Sequence, residues 1–192
     1  TQVRGLTETA VAALAATQIA ALTVPQIQSL STTSLVGFAD TQIGALTTTQ
    51  IGGLLAPQVS AFGATTVAAL TATQISAMSA TQIAALGATN FAALDTTQIG
   101  ALTATQMRSL TTSQIASIDA GQVSSFTTTQ LTQLSGTQLK SLSTSNLSAL
   151  DTTQMASLTA TQVASLTTTQ IAGLVAGDIG EMTTGQLQAV VT

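Results

Sequence analysis

Residues 159–174 read TATQVASLTTTQIAGL, one eight-residue phrase stated twice, from Thr159 to Leu166 and from Thr167 to Leu174. Followed outward in both directions, the phrase T-[TA]-T-Q-[IVL]-[AS]-[AS]-L keeps its phase from Thr1 to Thr192 without insertion or deletion, so the 192 residues are 24 octads. Self-similarity at a fixed period is the mark of an array of stacked units. Position 5 is apolar in every octad, from Val3 to Leu187, and so is position 8, from Leu6 to Val190. Only 45% of the chain is hydrophobic, so two uninterrupted apolar rows define a continuous core. Position 7 is Gly, Ala or Ser in 22 octads, with Gln133 and Glu181 the exceptions, which implies a close approach there. The three cations, Arg4, Arg108 and Lys140, all occupy position 6, which therefore faces solvent.

Geometry restricts how such a chain folds. One continuous helix advances about 800° per octad, so its apolar pair drifts about 80° at every repeat and circles the axis. A flat strand sends positions 5 and 8 to opposite faces, because their parity differs. The backbone must turn once per octad. In an all-α solenoid each octad is a short helical segment: Ser, Thr or Asp stands at position 1 in 17 octads and Gln at position 4 in 18, the spacing of a capping box. Positions 5 and 8 then share one helix face. The alternative is a β-solenoid with about three octads per coil, which draws on Thr at position 3 in 17 octads, since β-branched residues favour extended backbone.

Pro25 and Pro57 both stand at position 3. The residue before proline avoids the α region, so Val24 and Ala56 are expected to be extended, with helix starting at position 3 in those octads. One Ile and one Leu cannot offset the ordering of eight residues, so octads must stack to fold. Recurrences at 24 residues (Phe38 and Phe62, Gly63 and Gly87, Asp95 and Asp119) favour three octads per superhelical turn, although the prolines are 32 apart. The whole chain, 1–192, reads as a single repeat array with no linker, degenerate in octads 175–192.

Composition excludes much chemistry. There is no His, Cys, Trp or Tyr, only 5% of residues are charged, and the net charge is −4. Scattered cations give no electrostatic footprint for nucleic acid. Catalytic, cofactor and metal residues are all expected to be none, and the chain is read as no enzyme. No apolar run approaches the ~18 residues of a membrane span. Asp95, Asp119 and Asp151 stand at position 1, where capping a helix accounts for them better than calcium. Asp178 and Glu181 in VAGDIGEM form a closer acidic pair, read as a degenerate repeat in preference to an ion site. Gln at position 4 is read as satisfying backbone groups.

The runs LTTTQIAGL and LTATQVASL resemble the Leu-Thr-x-x-Gln-Ile-x-x-Leu octad arrays of very large secreted or surface proteins of bacteria, labelled adhesins or haem-utilisation proteins. The resemblance covers the whole chain and implies an extracellular or cell-surface location. Haem ligation finds no His or Tyr here, and Met78, Met107, Met155 and Met182 occupy core positions 5 or 8. The expectation is a structural extracellular repeat protein, filament-forming or stalk-like. An ice-binding or ice-nucleating solenoid, using Thr at positions 1 and 3, is the alternative. Val191-Thr192 placed before Thr1 to Leu6 reads VTTQVRGL, an octad in register. Head-to-tail contact, or continuation of a longer chain, is therefore expected through Thr1, Gln2, Val3, Leu6, Leu187, Val190, Val191 and Thr192.

Overall fold

The computed structural model describes residues 2–190, the side chains of Gln2 and Glu181 excepted. Among the described residues there is no strand: each octad from Thr7 onward carries one short α-helix, preceded by a 3-10 turn at Gln2–Gly5. The all-α reading holds and the β-solenoid does not. Threonine tolerates this because in a five-residue helix nearly every position is a terminal one, where its cost in helix interiors does not apply.

The octad 47–54 shows how the sequence dictates the turn. Helix Thr48–Gly52 starts after Thr47, whose backbone is extended at φ −68° and ψ 158°. The Thr47 hydroxyl accepts from the Gln50 backbone N–H at 3.2 Å, and Gln50 Oε1 accepts from the Thr47 N–H at 2.8 Å. These two bonds satisfy donors that a helix start leaves without intrahelical partners. At the other end Leu54 N–H donates to the Ile51 carbonyl at 3.1 Å, an i to i+3 bond that tightens the last turn. The chain then runs extended into the next cap, as at Met78 (φ −68°, ψ 145°).

No left-handed residue is needed for this reversal. Among the described residues the one positive φ is that of Gly87, at 71°. It stands where the capping position of its octad would otherwise be, as the first residue of helix Gly87–Phe91, separated from helix Ala80–Ala85 by Leu86.

The prolines correct one expectation. Val24 and Ala56 are the first residues of helices Val24–Gln28 and Ala56–Ser60, and the extended residues are Thr23 and Leu55 before them. Gln26 and Gln58 fix the start: their Oε1 atoms accept from the N–H groups of Thr23 and Leu55, at 2.8 and 2.9 Å. Proline falls on the second helical residue, whose N–H would have no intrahelical partner in any case.

Position 5 is sealed from Val11 to Val163. Ile19, Ile51, Phe91, Met107 and Met155 are wholly buried, and position 8 follows closely, with Leu54 and Leu110 buried. The chain forms two compact units, one ending at Ala101 and the other beginning at Leu102, and the octad phase runs through that junction. Within each unit a helix packs on the helix three octads later: Val24–Gln28 on Thr48–Gly52 in the first, Ala104–Ser109 on Thr128–Gln133 in the second. The degenerate octads keep the pattern, with helices Ala176–Glu181 and Thr184–Val190.

The close approach expected at position 7 has an identified partner, position 2 of the octad three repeats earlier. A Cβ on Gly37 would come 2.8 Å from the Glu8 carbonyl oxygen, one on Gly173 would come 2.8 Å from Thr144 Cγ2, and one on Gly53 would overlap Val24 Cγ1. The relation also runs the other way, since a Cβ on Gly136 at position 2 would lie 2.6 Å from Ser165 Cβ. Large and small residues alternate across this contact.

Candidate functional site

The chain's polar chemistry is concentrated in the position-4 amides. Gln50 Oε1 caps its own helix, while its Nε2 donates to the carbonyls of Ile19 at 2.9 Å, Ala20 at 3.2 Å and Leu22 at 2.7 Å. Those carbonyls belong to the C-terminal end of the helix four octads earlier, where acceptors outnumber backbone donors, and Ile19 O takes the Gln50 bond in addition to one from Leu22 N–H at 3.0 Å. One side chain thus satisfies the start of one helix and the end of another.

The same spacing of 31 and 28 residues recurs in both units. Gln82 donates to Ile51 and Leu54, Gln138 to Met107 and Leu110, and Gln186 to Met155 and Leu158, all between 2.7 and 2.9 Å. These glutamines are buried. No buried side-chain nitrogen or oxygen among the described residues is left without a hydrogen bond. Packing therefore connects octads three apart and the position-4 amides connect octads four apart. The favoured count of three per turn is thereby refined: a turn holds between three and four.

Substitutions at position 4 separate the two tasks. Asn90 and Asn146 are one methylene shorter, yet Nδ2 still reaches the carbonyls of Phe62 at 2.6 Å and Ile118 at 2.7 Å, each 28 residues back. Ser34 Oγ donates to Leu6 O at 2.7 Å across the same 28 residues. Asp178 is an exception. Its buried carboxylate cannot donate, so Oδ2 accepts from Val175 N–H at 2.9 Å and from the Ser148 hydroxyl at 2.8 Å. Glu181, paired with it by sequence, has a side chain outside the described residues.

Three of the other acids are caps, while Glu8 and Asp40 are the first residues of their helices. Asp95, Asp119 and Asp151 accept through Oδ1 from the N–H groups of Gln98, Gln122 and Gln154 at 2.7, 2.8 and 2.8 Å. Among the described residues no group of three His, Cys, Asp or Glu side chains could hold a metal ion, and no helix is long and apolar enough to cross a membrane. The four methionines are all buried.

Of the residues expected at a head-to-tail contact, Val3, Leu6 and Val190 are half-buried and Leu187 is 38% exposed. Thr1, Val191, Thr192 and the side chain of Gln2 lie outside the described residues. Sequence reasoning read the position-4 amides as satisfying backbone groups and missed their long-range targets, such as Ile19 and Leu22 for Gln50. The signal was available: glutamine persists at position 4 where position 1 has no side-chain oxygen, as Gln42 does with Ala39.

Part of the octad array matches a known repeat family. Residues 91–128 match the ALTTAQ repeat. The matched segment runs from Phe91 to Thr128 and includes the capped helices Thr96–Gly100, Ala104–Ser109, Thr112–Ser117 and Ala120–Ser124. Its octads follow the same phase as those on either side of the ALTTAQ match. No curated protein matches the chain.

Proposed function

We propose that this chain is a structural, non-enzymatic repeat protein of the cell exterior, serving as a filament, a surface layer or the stalk of an adhesin. The observation that carries this reading is the amide ladder. Polar side chains that a ligand site would need are instead engaged in tying one coil to another, octad after octad, as Gln50 and Gln138 are. The likeness of LTTTQIAGL to octad arrays of large exported bacterial proteins supports the location. Position-1 hydroxyls that an ice-binding surface would present are occupied as caps, as Thr47 and Thr103 are, which favours the structural reading over the ice-binding one.

The test is antibody labelling of the native protein on intact producing cells, with protease shaving as the control. Labelling before lysis and loss on shaving are expected; labelling only after lysis overturns the reading. A thermal hysteresis assay on the purified chain addresses the ice-binding alternative.

A further inference from the structure

Two octads with the same opening, GATTVAAL at 63–70 and GATNFAAL at 87–94, stand 24 residues apart in the first unit. Their helices, Ala64–Ala68 and Gly87–Phe91, pack on each other. Both lack what holds the regular octad. Position 1 is glycine, and neither helix start has a side-chain cap. At position 4 Thr66 has no amide to send to the carbonyls of Leu35 and Phe38, 31 and 28 residues back. Asn90, at position 4 of the other octad, donates to Phe62 O at 2.6 Å but forms no capping box.

Packing does not impose this pattern. The φ of Gly63, −86°, is open to any residue, and a Cβ there would meet nothing nearer than Thr65 Oγ1 at 4.0 Å. Gly87 is favoured by its φ of 71°, yet a Cβ there would meet nothing within 4 Å. The two octads between them in the chain are complete. Thr71 and Ser79 cap their helices, while Gln74 donates to Ile43 and Leu46 and Gln82 to Ile51 and Leu54. The core rows run through the defective pair unbroken, with Val67, Leu70, Phe91 and Leu94 buried. Octad 63–70 is also tied at its C-terminal end, where the Val67 and Ala68 carbonyls accept from Gln98 Nε2 at 3.3 and 3.2 Å. What is loose is the polar, N-terminal edge of two helices in contact.

We propose that this pair is an opening joint built into the first unit. The N-terminal turns of the two helices open together, pivoting on the core rows, while the octads between and beside them stay wound. Under load the unit yields here first, and the amide ladder elsewhere is spared. This goes beyond the structural reading above and holds wherever the protein resides.

Residue-resolved amide exchange of the 192-residue chain, followed by nuclear magnetic resonance, compares backbone bonds of one kind. Val67 N–H donates to Gly63 O at 3.0 Å and Leu70 N–H to Val67 O at 3.2 Å; in the complete octad Ile75 N–H donates to Thr71 O at 2.9 Å and Met78 N–H to Ile75 O at 3.2 Å. With cap and ladder both missing, Val67 and Leu70 are expected to exchange at least about tenfold faster than Ile75 and Met78. Leu94 N–H, bonded to Phe91 O at 3.2 Å, is expected to exchange faster than Leu86 N–H, bonded to Ile83 O at 3.2 Å. Uniform exchange, or a smooth gradient from 63 to 94, overturns the proposal. Gly63→Ser with Thr66→Gln supplies the missing cap and amide. It is expected to slow Val67 and Leu70 to the rates of Ile75 and Met78, and to slow Leu94 as well because the pair opens as one. Unchanged rates overturn the joint, and so does a repaired 63–70 beside an unchanged Leu94, which would mean two separate frays. Thr71→Gly with Gln74→Thr moves the defect into a complete octad and is expected to speed Ile75 and Met78, with circular dichroism checking that each variant keeps its helices. Surface labelling of the producing cells reports location alone, so either reading can fail without the other.

Discussion

Gly53 lies against Val24 so closely that a Cβ at Gly53 would overlap Val24 Cγ1, with Cγ2 at 3.0 Å and the Thr49 carbonyl oxygen at 3.1 Å closing the other side. The pair joins position 7 of one octad to position 2 of the octad three repeats earlier. Valine in a helix holds one side-chain rotamer strongly, so it cannot swing aside without cost. Gly53→Ala is expected to destabilise the first unit by about 1–3 kcal/mol through overpacking. Adding Val24→Ala should return most of that loss. Urea unfolding of the single and double variants, followed by circular dichroism, measures the coupling; additive effects would mean the contact is not what makes position 7 small.

Gln138 tests the ladder in the second unit. It accepts from Ser135 N–H at 2.7 Å and donates to Met107 and Leu110 at 2.9 and 2.8 Å. Gln138→Ala leaves a donor and two acceptors without their partner and should cost roughly 2–4 kcal/mol. Gln138→Glu keeps the acceptor and loses the donor, so it too is destabilised at neutral pH. Only the protonated carboxyl can donate to a carbonyl, so the fold favours the protonated form. Stability of this variant should therefore rise as pH falls and be lost as pH rises. Thermal melts between acidic and neutral pH would read that slope, and the native chain, with glutamine there, supplies the baseline.

Asp178 invites the opposite substitution. It holds the ladder position without a donor, and its carboxylate rests on Ser148 Oγ and Val175 N–H. A glutamine at that position would reach the carbonyls of Leu147 and Leu150, 31 and 28 residues back, by the rule that its neighbours obey. Asp178→Gln is expected to stabilise the C-terminal octads by about 1–2 kcal/mol. Hydrogen exchange of the helix Ala176–Glu181 amides is the sensitive readout, and slower exchange is the expected result.

Length changes should be tolerated in quanta. Deleting residues 127–134, one whole octad, keeps every donor 28 and 31 positions from a carbonyl of the right type. Deleting four residues, 127–130, puts position 8 where position 4 belongs throughout the rest of the array. The first deletion should leave a cooperatively melting helical protein. The second should lose cooperativity and helical signal together, and equal behaviour of the two would remove the ladder from the account.

Much of this was legible in the octad itself. Positions 5 and 8 as core rows, Thr or Asp at position 1 as a cap, and Gln at position 4 as its reciprocal partner all follow from local rules, and Thr47 with Gln50 obeys them. The long-range half of the glutamine's work is not local, because it depends on which octads become neighbours when the chain winds. A trace was present in sequence: Gln18, Gln42 and Gln58 persist where Ala15, Ala39 and Leu55 have no side-chain oxygen to complete a capping box. Asn90 and Asn146 likewise keep the amide at position 4. The prolines misled because the preference for extended backbone before proline is weaker than the register imposed by Gln26 and Gln58 on Thr23 and Leu55.

The reversal between helices uses negative φ almost throughout, Gly87 being the one departure among the described residues. A turn of that kind asks for no specific amino acid, so the corner of each octad is open to mutational drift. Duplicating or losing whole octads then requires no new punctuation residue to evolve alongside. Arrays built this way can change their reach by slippage of the gene between repeats, with length as the trait that varies and the joint geometry as the trait inherited intact.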